Sequence, residues 1–194
     1  ADLARSGVNI ICGSTISEIA PLADDRKLVT LSNSMRIEAD QVLWALGRVP
    51  NTMNMGLEAA GVRLTERGAI AVDEYSRSSV PHIGAVGDVT DRVNLTPVAI
   101  REAMAYVATE FQNTPTAFDH ADIASAVFSR PPVGAVGLTE ERARELGHKL
   151  KIFRSTFRPM KHILAGNEQR TLMKMVVDAK TDQVLGVHIA GSDA

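Results

Sequence analysis

The residues best placed to do chemistry lie in one short stretch. An apolar run, Ile83-Gly84-Ala85-Val86, ends on Gly87-Asp88, and a helix start, Leu95-Thr96-Pro97-Val98-Ala99, follows a polar loop. A strand that ends on Gly-Asp sets a carboxylate at the carboxyl edge of a sheet, where open α/β folds bind ligands. Such a carboxylate accepts hydrogen bonds from sugar or polyol hydroxyls, and Gly87 permits close backbone approach. Thr96 as N-cap with Pro97 at the first helical position is a strong start signal. That start turns free N–H groups and the positive end of a helix towards whatever sits beside Asp88. The pair would hold an uncharged polyol chain and stabilise negative charge developing next to it. Taken singly, Gly87-Asp88 reads as a turn and Thr96 as a cap; the ordered series carries the specificity. Elsewhere the reactive side chains are sparse. Cys12 is the one cysteine, and His82, His120, His148, His162 and His188 are scattered without metal-like pairing.

Three unlike stretches must position these residues. In the first, residues 8–12 are apolar and rich in β-formers, which predicts a strand with Cys12 as a small core residue. Residues 15–20, 27–31 and 35–38 alternate as half-buried strands, with Asp24-Asp25 and Ser32-Asn33-Ser34 as turns. The meander ends in Gln41-Val42-Leu43-Trp44-Ala45-Leu46-Gly47, a continuous apolar run that predicts a buried strand with Trp44 in the core. In the second stretch, residues 57–61 predict a short helix, 68–73 and 81–88 strands, and 98–111 a long helix. The third predicts a strand at 123–128, a turn at 134–137, and a helix at 139–146 with Glu140 and Glu141 in its first turn and Gly147 at its end. Strands follow at 150–157, 171–178 and 184–189, with Lys180-Thr181-Asp182-Gln183 as a hairpin turn.

Composition narrows the function classes. The 194 residues carry 21 Lys+Arg against 23 Asp+Glu, a balance that excludes a broad electrostatic footprint for nucleic acid. Residues 142–161 hold seven Lys and Arg, but interleaved Glu145 and apolar alternation make this a solvated face. No apolar run approaches the roughly 20 residues of a membrane span, so no membrane partner is expected. A single thiol forms no internal disulfide and calls for no oxidising compartment; a cytoplasmic location is the expectation. The opening residues read as the tail of a helix stopped by Gly7, and the last strand pattern runs straight to the final residues. The expectation is a piece of something longer. The faces of 171–177 and 184–189 would then be partly uncovered and would invite self-association.

Residues 78–89, in the pattern Ser-x-x-Pro-x-Ile-x-Ala-Val-Gly-Asp-Val, resemble the second flavin-binding motif of the flavoprotein disulfide reductases. Ala45-Leu46-Gly47-Arg48-Val49-Pro50-Asn51 is similar to their return from the nicotinamide domain into the FAD domain. Ala126-Val127-Phe128-Ser129-Arg130-Pro131-Pro132, with Val136-Gly137-Leu138-Thr139-Glu140, resembles the opening of their dimerisation domain. Leu95-Thr96-Pro97-Val98-Ala99 and Phe157-Arg158-Pro159-Met160-Lys161-His162 are similar to the glutathione reductase branch. The resemblance implies an α/β plus α+β chain in three parts. Residues 1–46 would end an NAD(P)H-binding domain, 47–118 would be the last segment of a Rossmann-like FAD-binding domain, and 119–194 would begin the dimerisation domain.

The same resemblance implies the cofactors FAD and NADPH, glutathione disulfide as substrate, and a homodimer in the longer parent. Gly87, Asp88, Leu95 and Thr96 would bind FAD, Asp88 through a ribityl hydroxyl and the start of the helix through the pyrimidine end of the flavin. Gly47, Asn94 and Ala126 would lie beside the nicotinamide cofactor, chiefly through main chain. Many family members carry an arginine for a glutathione carboxylate where Met104 stands, and Arg101 lies on a neighbouring face. The family's Cys-x₄-Cys pair and its C-terminal His-Glu acid are absent from these residues, as are both Gly-x-Gly-x-x-Gly fingerprints. No catalytic or metal-binding residue is therefore assigned, and the chain alone is expected to be inactive. The alternatives are another disulfide reductase, of the trypanothione or mercuric type, or a non-catalytic dimerisation or binding remnant.

Overall fold

The computed structural model describes residues 2–194. The chain divides into two compact units, Leu43–His120 and the combination of Ala1–Val42 with Ala121–Ala194. Both sheets are antiparallel and both lie in the second of these units.

One sheet is a meander of β1 (Ile16–Pro21), β2 (Lys27–Leu31) and β3 (Arg36–Ala39), in the order β1-β2-β3. Asp25 and Ser34 take positive φ in the two turns, where short polar residues tolerate it. Val29 and Leu31 on the central strand are buried at the period of two that a half-covered strand requires. α1 (Asp2–Arg5) precedes the meander and stops at Gly7, whose φ is +89°. The apolar segment 8–12 behind it is not a strand. Val8 and Ile10 are exposed, and so is Cys12, which corrects its expected place in the core. Apolar composition makes a strand only where a neighbour completes its hydrogen bonds, and no described strand pairs with this segment.

The other sheet has five strands in the order β4-β5-β8-β7-β6: β4 (Ser125–Val127), β5 (Val133–Gly137), β6 (Leu150–Phe157), β7 (Thr171–Asp178) and β8 (Val184–Ala190). The expected turn at 134–137 is strand β5. Its glycines are there for close packing: a Cβ on Gly137 would overlap the Leu185 carbonyl oxygen as β5 meets β8. α3 (Glu140–Glu145) follows β5, with Thr139 accepting the Arg142 N–H at 3.1 Å as its N-cap. α4 (Met160–Leu164) is a short helix that the sequence did not suggest. On one side of β6, β7 and β8, Phe153, Met173, Met175, Val187 and Ile189 line an apolar groove open to solvent. The expected basic face over 142–161 is solvated and paired: Arg142 with Glu145, Arg144 and Arg154 with Glu140, Lys151 with Asp182, and Lys161 with Asp193.

The unit Leu43–His120 has one long helix, α2 (Thr96–Phe111), and a four-residue 3-10 turn, Gly87–Thr90. The rest is loop joined by two isolated bridges, Leu64 with Ile70 and Arg77 with Gly84. A small core forms from Val62, Ile70 and Ala85, with Leu57, Val80 and Ile83 packed against it. Three expected strands are corrected here. Segments 68–73 and 81–88 reach only single bridges, and 41–47 is irregular, with Leu43 90% and Trp44 57% exposed. Residues 57–61 form a turn rather than a helix. Each of these runs has the apolar residues of a buried element, yet no described strand lies alongside to complete a ladder.

Candidate functional site

Gly87 and Asp88 sit on the first turn of the 3-10 segment. Val86 enters it fully extended, with φ −136° and ψ 159°, and Gly87 turns the chain with φ +73°. That φ suits only glycine at low cost. Space also favours glycine, because a Cβ at Gly87 would stand 3.0 Å from the Ala99 Cβ on α2. Asp88 is exposed, and among the described residues no group hydrogen-bonds or pairs with its carboxylate. Its carbonyl closes the turn by accepting the Asp91 N–H at 3.1 Å.

α2 begins one residue earlier than the sequence predicts. Leu95 is the N-cap, with extended backbone and no side-chain cap; Thr96 and Pro97 are inside the first turn. Thr96 is therefore not the capping residue. Pro97 still marks the start, because it removes an N–H that has no partner within the helix. The Leu95 carbonyl accepts the N–H groups of Val98 and Ala99, each at 3.0 Å. Thr96 is exposed and Leu95 half-buried at the helix's positive end.

Beneath the turn lies the one fully buried carboxylate of the unit among the described residues, Glu102, whose side chain is 1% exposed. Its Oε2 accepts the Gly87 N–H at 2.6 Å. Its Oε1 faces the Arg92 guanidinium at 3.0 Å and His120 Nε2 at 2.6 Å. Arg92 also donates to Thr90 Oγ1 at 3.2 Å and Ser76 Oγ at 3.0 Å, and Thr90 donates to the Gly87 carbonyl at 2.8 Å. The chain delivers His120 by a short return. Thr109 on α2 accepts the Thr116 N–H at 3.0 Å and donates to the Thr116 carbonyl at 3.2 Å, folding residues 116–120 back along the helix. Phe118 then meets the His120 ring edge-on at 4.8 Å.

The sequence-predicted residues divide cleanly. Gly87, Asp88, Leu95 and Thr96 are brought together by the packing of the 3-10 turn on the first half of α2. Asn94 is exposed in the loop between them and donates to Asp91 Oδ1 at 3.2 Å. Gly47 lies in the same unit in irregular chain, exposed, with φ +114°. Ala126, on β4, belongs to the other unit. Met104, 68% exposed, and Arg101 line a cleft of about 470 Å³ with Ala105, Ala108 and Phe118. Glu102, Arg92 and His120 were missed. One signal for Glu102 was present: it falls four residues after Val98, in the buried stripe of α2.

Comparison with known proteins agrees with this architecture. Residues 1–103 match the family model for pyridine nucleotide-disulphide oxidoreductases, and residues 123–194 match the dimerisation domain of the same family. The pea protein named glutathione reductase, chloroplastic/mitochondrial, is 53% identical over 153 residues, which is 79% of this chain and 28% of that protein. A glutathione reductase of a Nostoc strain is 45% identical, over 99% of this chain and 45% of that protein. Among solved structures, the HOCl-induced flavoprotein disulfide reductase RclA of Escherichia coli superposes with a TM-score of 0.89 at 28% identity, over 99% of this chain and 44% of that one. The chain thus spans less than half the length of these relatives. With the two family models in chain order and the Gly87–Asp88 turn seated on α2, it belongs to the pyridine nucleotide-disulphide oxidoreductases.

Proposed function

We propose that these residues are a segment of an FAD-dependent enzyme that uses NADPH to reduce glutathione disulfide. The observation that carries this reading is the exposed, unpartnered Asp88 carboxylate on a turn fixed against the start of α2. The similarity to proteins named glutathione reductase selects the substrate.

The residues present fit a flavin. Gly87, whose Cβ would crowd Ala99, lets the turn sit close against α2, and a carboxylate with no protein partner suits a polyol hydroxyl donor. Asp88 accepts from a ribityl hydroxyl and so sets the position of the chain. Leu95, whose own N–H is donated to the Val93 carbonyl at 2.9 Å, sets the start of the helix, and Thr96 presents the first free N–H at its positive end, which stabilises negative charge on the pyrimidine side. Gly47, Asn94 and Ala126 are proposed on the nicotinamide side. Bound FAD supplies two-electron transfer between the nicotinamide and a protein dithiol. This chain has one cysteine, so the dithiol and the acid that serves it are assigned to the rest of the protein. The longer protein is proposed to be a cytoplasmic homodimer, supported by the match to a dimerisation domain and by an unpaired Cys12.

Two measurements test the reading. In the full-length protein, Asp88→Ala is expected to weaken FAD binding by about 10–150-fold, the loss of a charge-assisted hydrogen bond worth roughly 1.5–3 kcal/mol. Unchanged flavin occupancy after dialysis against flavin-free buffer would remove the assignment. The 194-residue chain alone is expected to oxidise no NADPH in the presence of glutathione disulfide; turnover dependent on both would refute the proposed division of labour.

A further inference from the structure

We propose that Glu102 is the positioning residue for Asp88: it aims the flavin-binding carboxylate by fixing the backbone of Gly87. The inference rests on Asp88 being the flavin ligand. The two free dihedrals of Gly87 lie between two peptide planes, the one carrying its N–H and the one carrying its carbonyl. Glu102 Oε2 holds the first plane through the N–H at 2.6 Å, and the Thr90 hydroxyl holds the second through the carbonyl at 2.8 Å. Thr90 is in turn held by Arg92, which also pairs with Glu102 Oε1. Fixing both planes fixes the direction in which the chain leaves for Asp88. Glycine is the residue least able to hold a direction unaided, and its φ of +73° excludes a stiffer replacement.

The division of the carboxylate supports this role. Arg92 and His120 share Oε1, which leaves Oε2 to the Gly87 N–H. Stability alone is a weak reason for such a group, because buried ion pairs are often replaced by apolar residues without loss. A 1%-exposed carboxylate that gives one whole oxygen to a glycine N–H has a geometric task.

The test is a double-mutant cycle in the full-length flavoprotein, read as the FAD dissociation constant from fluorescence of released flavin. The visible circular dichroism of the bound flavin provides a second readout. Glu102→Gln leaves Gly87 at best a neutral acceptor and sets an NH2 among the Gly87, Arg92 and His120 groups, and is expected to weaken FAD by about tenfold or more as the aim of the charge-assisted Asp88 bond is lost. In an Asp88→Ala background the same substitution is expected to change affinity by less than about threefold, because nothing is left to aim. Should Glu102→Gln fail to accumulate as folded protein, Thr90→Val takes its place in the cycle; it keeps every charge and frees the carbonyl plane, while Arg92 gives up its bond to Thr90 and keeps those to Ser76 and Glu102. Equal losses in both backgrounds, or no loss in either, overturn the positioning role while leaving Asp88 as ligand. If Asp88→Ala itself leaves affinity unchanged, the flavin reading fails first and the positioning role falls with it.

Discussion

Two glutamates, one in each unit, have three partners apiece and do different work. Glu102 is buried on α2 and receives a backbone N–H, an arginine and a histidine. Glu140 stands in the first turn of α3, half exposed, and receives Lys174 at 2.7 Å, Arg144 at 2.9 Å and Arg154 at 3.0 Å. All of Glu140's partners are charged side chains that reach solvent, which can take their place. At Glu102 one partner is main chain, and little solvent reaches the group. Equal numbers of contacts therefore do not mean equal consequences: the environment of the carboxylate sets what its loss costs.

The largest effect separating the two is expected at Glu102. Glu102→Leu removes the carboxylate and leaves the Gly87 N–H, Arg92 and His120 without their common acceptor. Breaking a buried pair in this way costs about 3–5 kcal/mol. Denaturant unfolding of the flavin-free full-length protein measures the total, and amide exchange at Gly87 locates it. A loss below about 1 kcal/mol with Gly87 still protected would show that the turn holds itself, and the contrast with Glu140 would vanish.

The same contrast explains how far the sequence could be read. Most elements whose stability is local or paired within the chain were legible, β5, expected as a turn, and the short helix α4 being the exceptions. The meander β1-β2-β3, the capped helix α3 and the β6, β7, β8 strands lie where alternation, turn residues and the Thr139 cap place them. Segments 8–12 and 41–47 have the composition of buried strands, but a strand also depends on its neighbour, and a composition does not contain one. The four proposed flavin residues, Gly87, Asp88, Leu95 and Thr96, came from one short ordered series and do converge on one turn and one helix start. Glu102, Arg92 and His120 act across gaps of 10 to 18 residues through a fold that spacing does not encode, so their partnership was invisible. Thr96 shows the limit on a finer scale. A Thr-Pro signal marks the helix start within one residue, but the extended Leu95 backbone takes the cap.

The smallest expected effect, and the one most specific to surface charge, concerns acid. Lys174 first, then Arg144, hold the Glu140 carboxyl down to about 2 from its ordinary 4.5. A depressed carboxyl contributes stability that is fully present above the unfolded value and is lost as pH falls through the folded one. The window for Glu140 is therefore about pH 4.5 down to 2. Asp178, held to about 2 by His148 and by the Lys180 N–H, titrates in nearly the same window, so the wild-type profile alone does not isolate Glu140. The difference between wild type and Glu140→Gln does. Above pH 4.5 the wild type is expected to be the more stable, by an amount that shrinks steadily towards pH 2. About 1 M salt, where the screening length is ~3 Å, should reduce the gap at neutral pH because these charges face solvent. The Glu102 substitution should respond far less to salt, since buried pairs are poorly screened. A Glu140 gap that ignores both acid and salt would mean that its side chain acts through packing, and that the two glutamates are more alike than their surroundings suggest.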